Sequence, residues 1–390
     1  MSWKLTSKRA LRSISWISLS LVANLLVAAC APAAAPAPPT AAPSKPAEAK
    51  APDKAAEAAP AAKPAAKEGA AASGADDELA KLIEGAKKEG ELSLYSVQSG
   101  DDLKRSDPEF QQMYPFLKMN RYREDGEQLA AKLMAEARAG AFVADILDIA
   151  QEPMFVVAKA GLLAEYNAPE RQALDAKFKQ QFFTNYRIQT KPISYNTNLV
   201  SKDQAPKGYD DLLNAKWKGK LVMEPTDVTV FAGTIQHWGE EKALQFWKGV
   251  TANGLQFRAG QTQLVQLLAA GEFPIAVAAN LHTIEQEKPK GAPLDWVNTK
   301  PLFTSTGAVA VTKNAPHPNA ARLWVRYQLS KNGQEAVADT GRLPVNPAVP
   351  PKHKRLIEEG YEVLLSGDTV LNQYERLNKL FFEVTGRPVV

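Results

Sequence analysis

From residue 78 onward, apolar side chains recur with two alternating periods, one of three to four residues and one of two, which predict helices and strands in turn. The spacing predicts a helix over 78–88, capped by Asp77, with Leu79, Leu82 and Ile83 on one face and Gly90 as its stop. Leu92-Ser93-Leu94-Tyr95-Ser96 reads as a strand opening into a polar loop at 97–101, and a second strand is expected at 117–121. A helix at 127–139 buries Leu129, Leu133 and Met134 and ends at Gly140. A short apolar strand at 144–149 and a helix at 153–160 follow. This rhythm implies a parallel sheet with helices on both faces, and ligands of such sheets bind beyond the carboxyl ends of the strands. Those ends fall at 96–100, 122–126 and 150–152.

Ile193-Ser194-Tyr195-Asn196 reads as a strand leaving that half, and a second set of elements follows. It comprises helix 209–213, strand 220–223, helices 228–238, 241–251 and 262–270, and strand 274–278. A strand at 308–312 and a strongly amphipathic helix at 319–330, with Ala320, Leu323, Trp324, Tyr327 and Gln328 at helical spacing, come next. The tail from His353 is expected to be mostly helical. Residues 76–390 number 315, more than one hydrophobic core usually serves, so two lobes are expected.

Composition changes the picture upstream. Residues 31–75 hold 22 Ala and 9 Pro, so the stretch has too few large apolar side chains to form a core and is expected to be a tether. Residues 1–29 carry Lys4, Lys8, Arg9 and Arg12 with no acid, ahead of an apolar run at 14–27 that is too short to span a bilayer. That layout is an export signal. Leu26-Val27-Ala28-Ala29-Cys30 resembles the bacterial lipobox, which implies cleavage before Cys30 and acylation of its thiol. Cys30 is the only cysteine, so disulfides, thiolate metal sites and a cysteine nucleophile are excluded from the folded body. The net charge of +4 is the charge of the signal alone; residues 76–390 carry 38 Lys plus Arg against 39 Asp plus Glu. A near-neutral body argues against nucleic acid as a partner.

Seven segments in order resemble one family. They are Glu91-Leu92-Ser93-Leu94-Tyr95-Ser96, Ala144-Asp145-Ile146-Leu147, Ile193 to Val200, Asp210 to Leu213 with Trp217-Lys218-Gly219-Lys220, Gly271-Glu272, His317 to Ala321, and Leu329 to Gln334. Together they resemble the extracellular solute-binding proteins of bacterial ABC importers, in the branch that includes ferric-ion-binding proteins. The resemblance implies an α/β, two-lobed type 2 periplasmic-binding fold with a hinge of two crossing strands. Lobe one would be 77–193 plus 294–342 and lobe two 194–293 plus 343–390, with Tyr195-Asn196-Thr197 as one crossing. It also implies a monomer without cofactor or catalysis, lipid-anchored through Cys30 in the cell envelope. Such a protein would pass a small solute to permease and ATPase subunits. No phosphate loop of the Gly-Lys-Ser/Thr kind occurs in the chain, so ATP chemistry would belong to a separate subunit.

The ferric members bind iron through adjacent tyrosines, but here the matching place reads Ala278-Ala279-Asn280-Leu281-His282 and no Tyr-Tyr pair occurs. A small organic or anionic solute is therefore expected. Asn280 either contacts it or caps a helix. Arg121 and Arg123 alternate at a strand end and either clamp an anion together or pair with nearby acids. Thr226 and Asp227 precede a helix, as caps or as ligand contacts. Ser96, Gln98, Ser99, Ser305 and Thr306, the last two read as part of a 304–307 loop, offer neutral hydrogen bonds. Tyr195 either stacks on solute or fills core. His282 reads as a surface histidine. Two other functional classes remain: a receptor presenting solute to a membrane sensor, and a secreted lipoprotein hydrolase using Asp227 or His282 as base, for which no nucleophile and orienter stand at recognisable spacing.

Overall fold

The computed structural model describes residues 68–387; the expected signal, Cys30 and the tether up to residue 67 lie outside them. The first helix runs Glu68–Glu89, so it starts ahead of the Asp77 cap, over alanine-rich residues of high helix propensity.

Twelve strands follow among the described residues: β1 (Glu91–Ser96), β2 (Lys118–Arg123), β3 (Ile146–Ala150), β4 (Thr184–Thr190), β5 (Ser194–Asn196), β6 (Leu221–Met223), β7 (Gln256–Phe257), β8 (Ile275–Ala276), β9 (Leu294–Trp296), β10 (Leu302–Val311), β11 (Leu343–Pro344) and β12 (Val363–Leu364). They form two sheets. The first has the order β11-β4-β10-β3-β1-β2 with β12 also on β10, and the second has the order β7-β6-β8-β5-β9. The two-lobed α/β architecture expected from sequence is therefore present. The first sheet is mixed, however: β1 pairs in parallel with β2 and β3, whereas β10 runs antiparallel between β3 and β4. All ten residues of β10 are buried, and its Thr304-Ser305-Thr306 stretch is strand rather than loop. Threonine is a good strand residue, and Thr304 Oγ1 donates to the Leu364 carbonyl at 2.5 Å, so that hydroxyl is satisfied inside the sheet.

The chain crosses between lobes at 191–193 and returns at 297–301. At one end of the paired crossing Lys191 N–H donates to the Phe303 carbonyl; at the other, Val297 N–H donates to the Ile193 carbonyl, both at 2.9 Å. Tyr195 and Asn196 lie just beyond, inside β5, rather than in the crossing itself. Pairing also shifts the lobe boundaries drawn at 294 and 343. β9 bonds to β5 and so belongs with lobe two, while β11 and β12 bond to β4 and β10 of lobe one. At the hinge, the lobe-two helix Val228–Trp238 lies against β10 so closely that a Cβ on Gly233 would sit 2.8 Å from the Phe303 ring.

The C-terminal helix Tyr374–Thr385 then returns to lobe two. Its Phe381 is fully buried, with ring centroids 4.9 Å from Phe231 and 5.7 Å from Trp247. Removing that ring leaves a cavity between three elements, so Phe381→Ala is expected to cost about 3–5 kcal/mol in urea unfolding. A loss below about 1 kcal/mol would mean that the helix does not dock there.

Candidate functional site

Alternate residues of a strand share a face, so Arg187 and Gln189 of β4, with Lys191 just past its end, form one row. On β10, Gly307 lies opposite Arg187 and Ser305 opposite Gln189, and Ser305 Oγ donates to Gln189 Oε1 at 3.1 Å. This row floors a cavity of about 130 Å³ between the lobes. Val97, Glu127, Ala150 and Glu152 wall it on lobe one, and Thr226, Asp227 and Thr229 wall it on lobe two. Tyr374 closes it from the C-terminal helix, donating from its hydroxyl to Glu127 Oε1 at 3.0 Å across the gap between lobes. A wider cavity of about 360 Å³ shares Glu127 and Thr226 with the first and is lined on its far side by Asn378, Lys379, Phe382 and Arg387.

Charge burial sets the local structure. Arg187 is 2% exposed, and its Nη1 donates to Asp148 Oδ1 at 2.6 Å. Ser96 Oγ, Gln98 Nε2 and the Tyr186 hydroxyl also donate to that carboxylate, at 2.8, 2.7 and 3.0 Å. Lys191 pairs with Asp227, whose other oxygen accepts from Gln261 Nε2 at 2.6 Å. Gln261 Oε1 in turn accepts from the Asn280 N–H at 3.0 Å, which ties three lobe-two segments together. Burial lowers the Arg187 pKa and raises that of Asp227, while the Lys191 charge opposes the latter shift. Beneath Asp227, Glu224 accepts from the Thr226 N–H at 3.0 Å and from its hydroxyl, and burial with the nearby Asp227 charge pushes the Glu224 carboxyl up to about 7. Glu152, 1% exposed, accepts from Ser366 Oγ at 2.8 Å through one oxygen; burial raises its pKa as well.

Of the residues singled out from sequence, Thr226, Asp227 and Ser305 line the cavity. Ser96 and Gln98 stand one layer below, spent on Asp148, and Ser99 caps the short helix Gly100–Leu103. Asn280 caps the helix Leu281–Glu287 without a side-chain cap bond, and its Oδ1 is buried without a partner. Thr306 is buried in β10 and lines neither cavity. Arg121 pairs with Asp107 and stacks on Trp324, because β2 is the edge of its sheet and a helix flanks it; Arg123 is exposed at the strand end and lines neither cavity. The arginine clamp therefore does not form. Tyr195 is core, with its hydroxyl donating to Asp295 at 3.2 Å. His282 is buried rather than on the surface and is held neutral by burial and by nearby Arg342. The row Arg187, Gln189, Lys191 was missed, although its alternation of polar residues was a readable strand signal. The approach of Tyr374 and Arg387 from the chain end had no local signal.

Residues 143–366 match a family model described as bacterial extracellular solute-binding protein. A Haemophilus influenzae protein named only as uncharacterized is 30% identical over 199 residues, covering 47% of this chain and 57% of that one, so the match spans little more than half of that relative. Iron-bound HitA from Pseudomonas aeruginosa superposes with a TM-score of 0.67 at 21% identity, covering 75% of this chain and 99% of that one. AfuA from Actinobacillus pleuropneumoniae, with fructose-6-phosphate bound, gives 0.65 at 23% identity over 77% and 99%. Apo ferric ion-binding protein A of Pasteurella haemolytica gives 0.67 at 20% over 77% and 99%. At these identities the structural likeness concerns the fold.

Glu224 makes stability depend on pH in a definite direction. Between its ordinary value near 4.5 and about 7, the folded chain keeps a proton that the unfolded chain has released, so its contribution is full at low pH and is lost as pH rises through 7. Glu224→Gln removes the buried charge and is expected to stabilise the protein by about 1–3 kcal/mol at pH 8 and little at pH 4.5. Equal effects at both pH values in denaturant unfolding would contradict this.

Proposed function

This chain belongs to the family of bacterial extracellular solute-binding proteins, and we propose that it captures a small polar organic solute between its lobes and delivers it to the permease of an ABC importer. The observation that carries this reading is the cavity whose floor is Gln189 and Ser305 of lobe one and whose opposite wall is Thr226, Asp227 and Thr229 of lobe two. A solute held there touches both lobes at once. It binds the closed arrangement more tightly than an open one, and that difference in affinity drives closure about the crossing strands. Energy for transport would come from a separate ATPase, and the permease would read the closed shape.

An organic solute is favoured over a ferric ion bound by protein groups. Asp148 and Asp227 are already committed to Arg187 and Lys191, so a metal ion would compete with a buried guanidinium and a buried ammonium for those oxygens. The remaining lining supplies hydrogen-bonding groups suited to hydroxyl, amide, carboxyl or amine functions. Asp227 is occupied by Lys191 and Gln261, which supports a binding role rather than use as a hydrolytic base.

Thermal-shift screening of the purified chain against ferric ion, organic acids, sugar phosphates, amino acids, amines and polyols tests the reading. An organic solute is expected to raise the midpoint saturably, and Gln189→Ala or Thr226→Ala to weaken that shift, measured from each variant's own unliganded midpoint. A response to ferric ion alone, or to nothing, would contradict it. The lipid anchor on Cys30 has its own test: Cys30→Ser is expected to move the protein from the membrane fraction to the soluble one, and persistence in the membrane fraction would refute acylation as the anchor.

A further inference from the structure

The charge pairs of the cavity leave a remainder. Arg187 is matched by Asp148 and Lys191 by Asp227, each pair buried. Of the charged residues lining the inner cavity, that leaves Glu127 and Glu152, and neither has a cation within salt-bridge distance among the described residues. Glu127 is exposed at the rim, where Lys379 and Arg387 line the outer cavity with it, and the Arg387 guanidinium is engaged by the Pro225 carbonyl and by Asn378. Glu152 is 99% buried, beyond the end of β3, and its Oε2 has no hydrogen-bond partner among the described residues. A buried carboxyl oxygen left without a partner is destabilising, so Oε2 is an unmet acceptor in the cavity lining.

A second orphan of the opposite kind faces the same cavity. Arg187 Nε is buried without a partner among the described residues. It lies over Gly307, where a Cβ would come within 2.5 Å of it, and Gly307 is itself part of the cavity lining. Ala150, two residues before Glu152, is opposite Gly307, and Gly307 is opposite Arg187, so both orphans belong to residues that line the same cavity.

An acceptor without a donor and a donor without an acceptor, both on residues lining one cavity between two lobes, describe a bipolar occupant. Building on the solute-binding reading above, we propose that the solute carries an ammonium group, seated against Glu152 with Glu127 beside it, and a hydrogen-bond acceptor such as a carboxylate or carbonyl oxygen directed at Arg187 Nε. Such a solute satisfies both buried atoms at once. A plain dianion would meet Glu152 and Glu127 with like charge, and a polyol would leave both carboxylates without a cation. The acidic remainder thereby becomes a selectivity device, rejecting anions that the floor arginine and lysine would otherwise attract.

The test is a cycle between solute and residue, run on the full chain. Amino acids, amino-alcohols, diamines, carboxylic acids, sugar phosphates and polyols are screened by thermal shift, and binders are titrated calorimetrically. The strongest binders are expected to bear an ammonium group. Replacing that group by hydroxyl in the same solute is expected to weaken binding by roughly tenfold or more in the wild type and to have little effect in Glu152→Gln. If Glu152→Gln melts early, Glu127→Gln at the exposed rim carries the same cycle, since its amide oxygen still accepts from Tyr374. A tight binder without a cationic nitrogen, or an ammonium-to-hydroxyl penalty identical in wild type and both variants, overturns the inference while leaving the solute-binding reading standing. Absence of any binder would instead count against that reading itself.

Discussion

Two buried cations on one strand row organise this protein. Taking an arginine and a lysine out of water costs several kcal/mol each unless a carboxylate meets them and their remaining protons find acceptors. Asp148 meets Arg187 from the neighbouring lobe-one strands, with Ser96, Gln98 and Tyr186 converging on the same carboxylate. Asp227 meets Lys191 from the start of a lobe-two helix. The first pair fixes the floor of the cavity within one lobe. The second fixes how the other lobe sits over it.

The position of that second pair matters for movement. Lys191 adjoins the crossing strands, where its N–H is bonded to Phe303, so it lies next to the pivot. A rotation about the hinge moves atoms in proportion to their distance from the axis. The Lys191–Asp227 pair can therefore persist while the rim, where Tyr374 reaches Glu127, opens. On the proposed reading, solute enters at the rim and is held at the buried floor.

Much of this was legible in the chain. The helix Val228–Trp238 was readable to both ends, because its apolar period is clear and Gly239 stops it, and Thr226 and Asp227 followed as its entrance. No strand is expected from sequence at β4, whose polar residues alternate toward a cavity rather than toward solvent. The Thr304-Ser305-Thr306 run read as a loop for the same reason: polarity was mistaken for exposure. Arg121 and Arg123 were placed correctly at a strand end, but the position of β2 at the sheet edge, which sends Arg121 to Asp107, is a property of strand order and not of local sequence. The return of the last helix rests on Phe381 meeting Phe231 some 150 residues earlier, a long-range contact that no local period encodes.

The central claim is that one solute bridges the two lobes over the buried cation row. A crystal structure of the protein with a solute found by screening tests it most directly. Density is expected in the interlobe cavity, contacting Arg187, Gln189 or Ser305 on one side and Thr226 or Asp227 on the other. A solute bound to a single lobe, or outside this cavity, would contradict it.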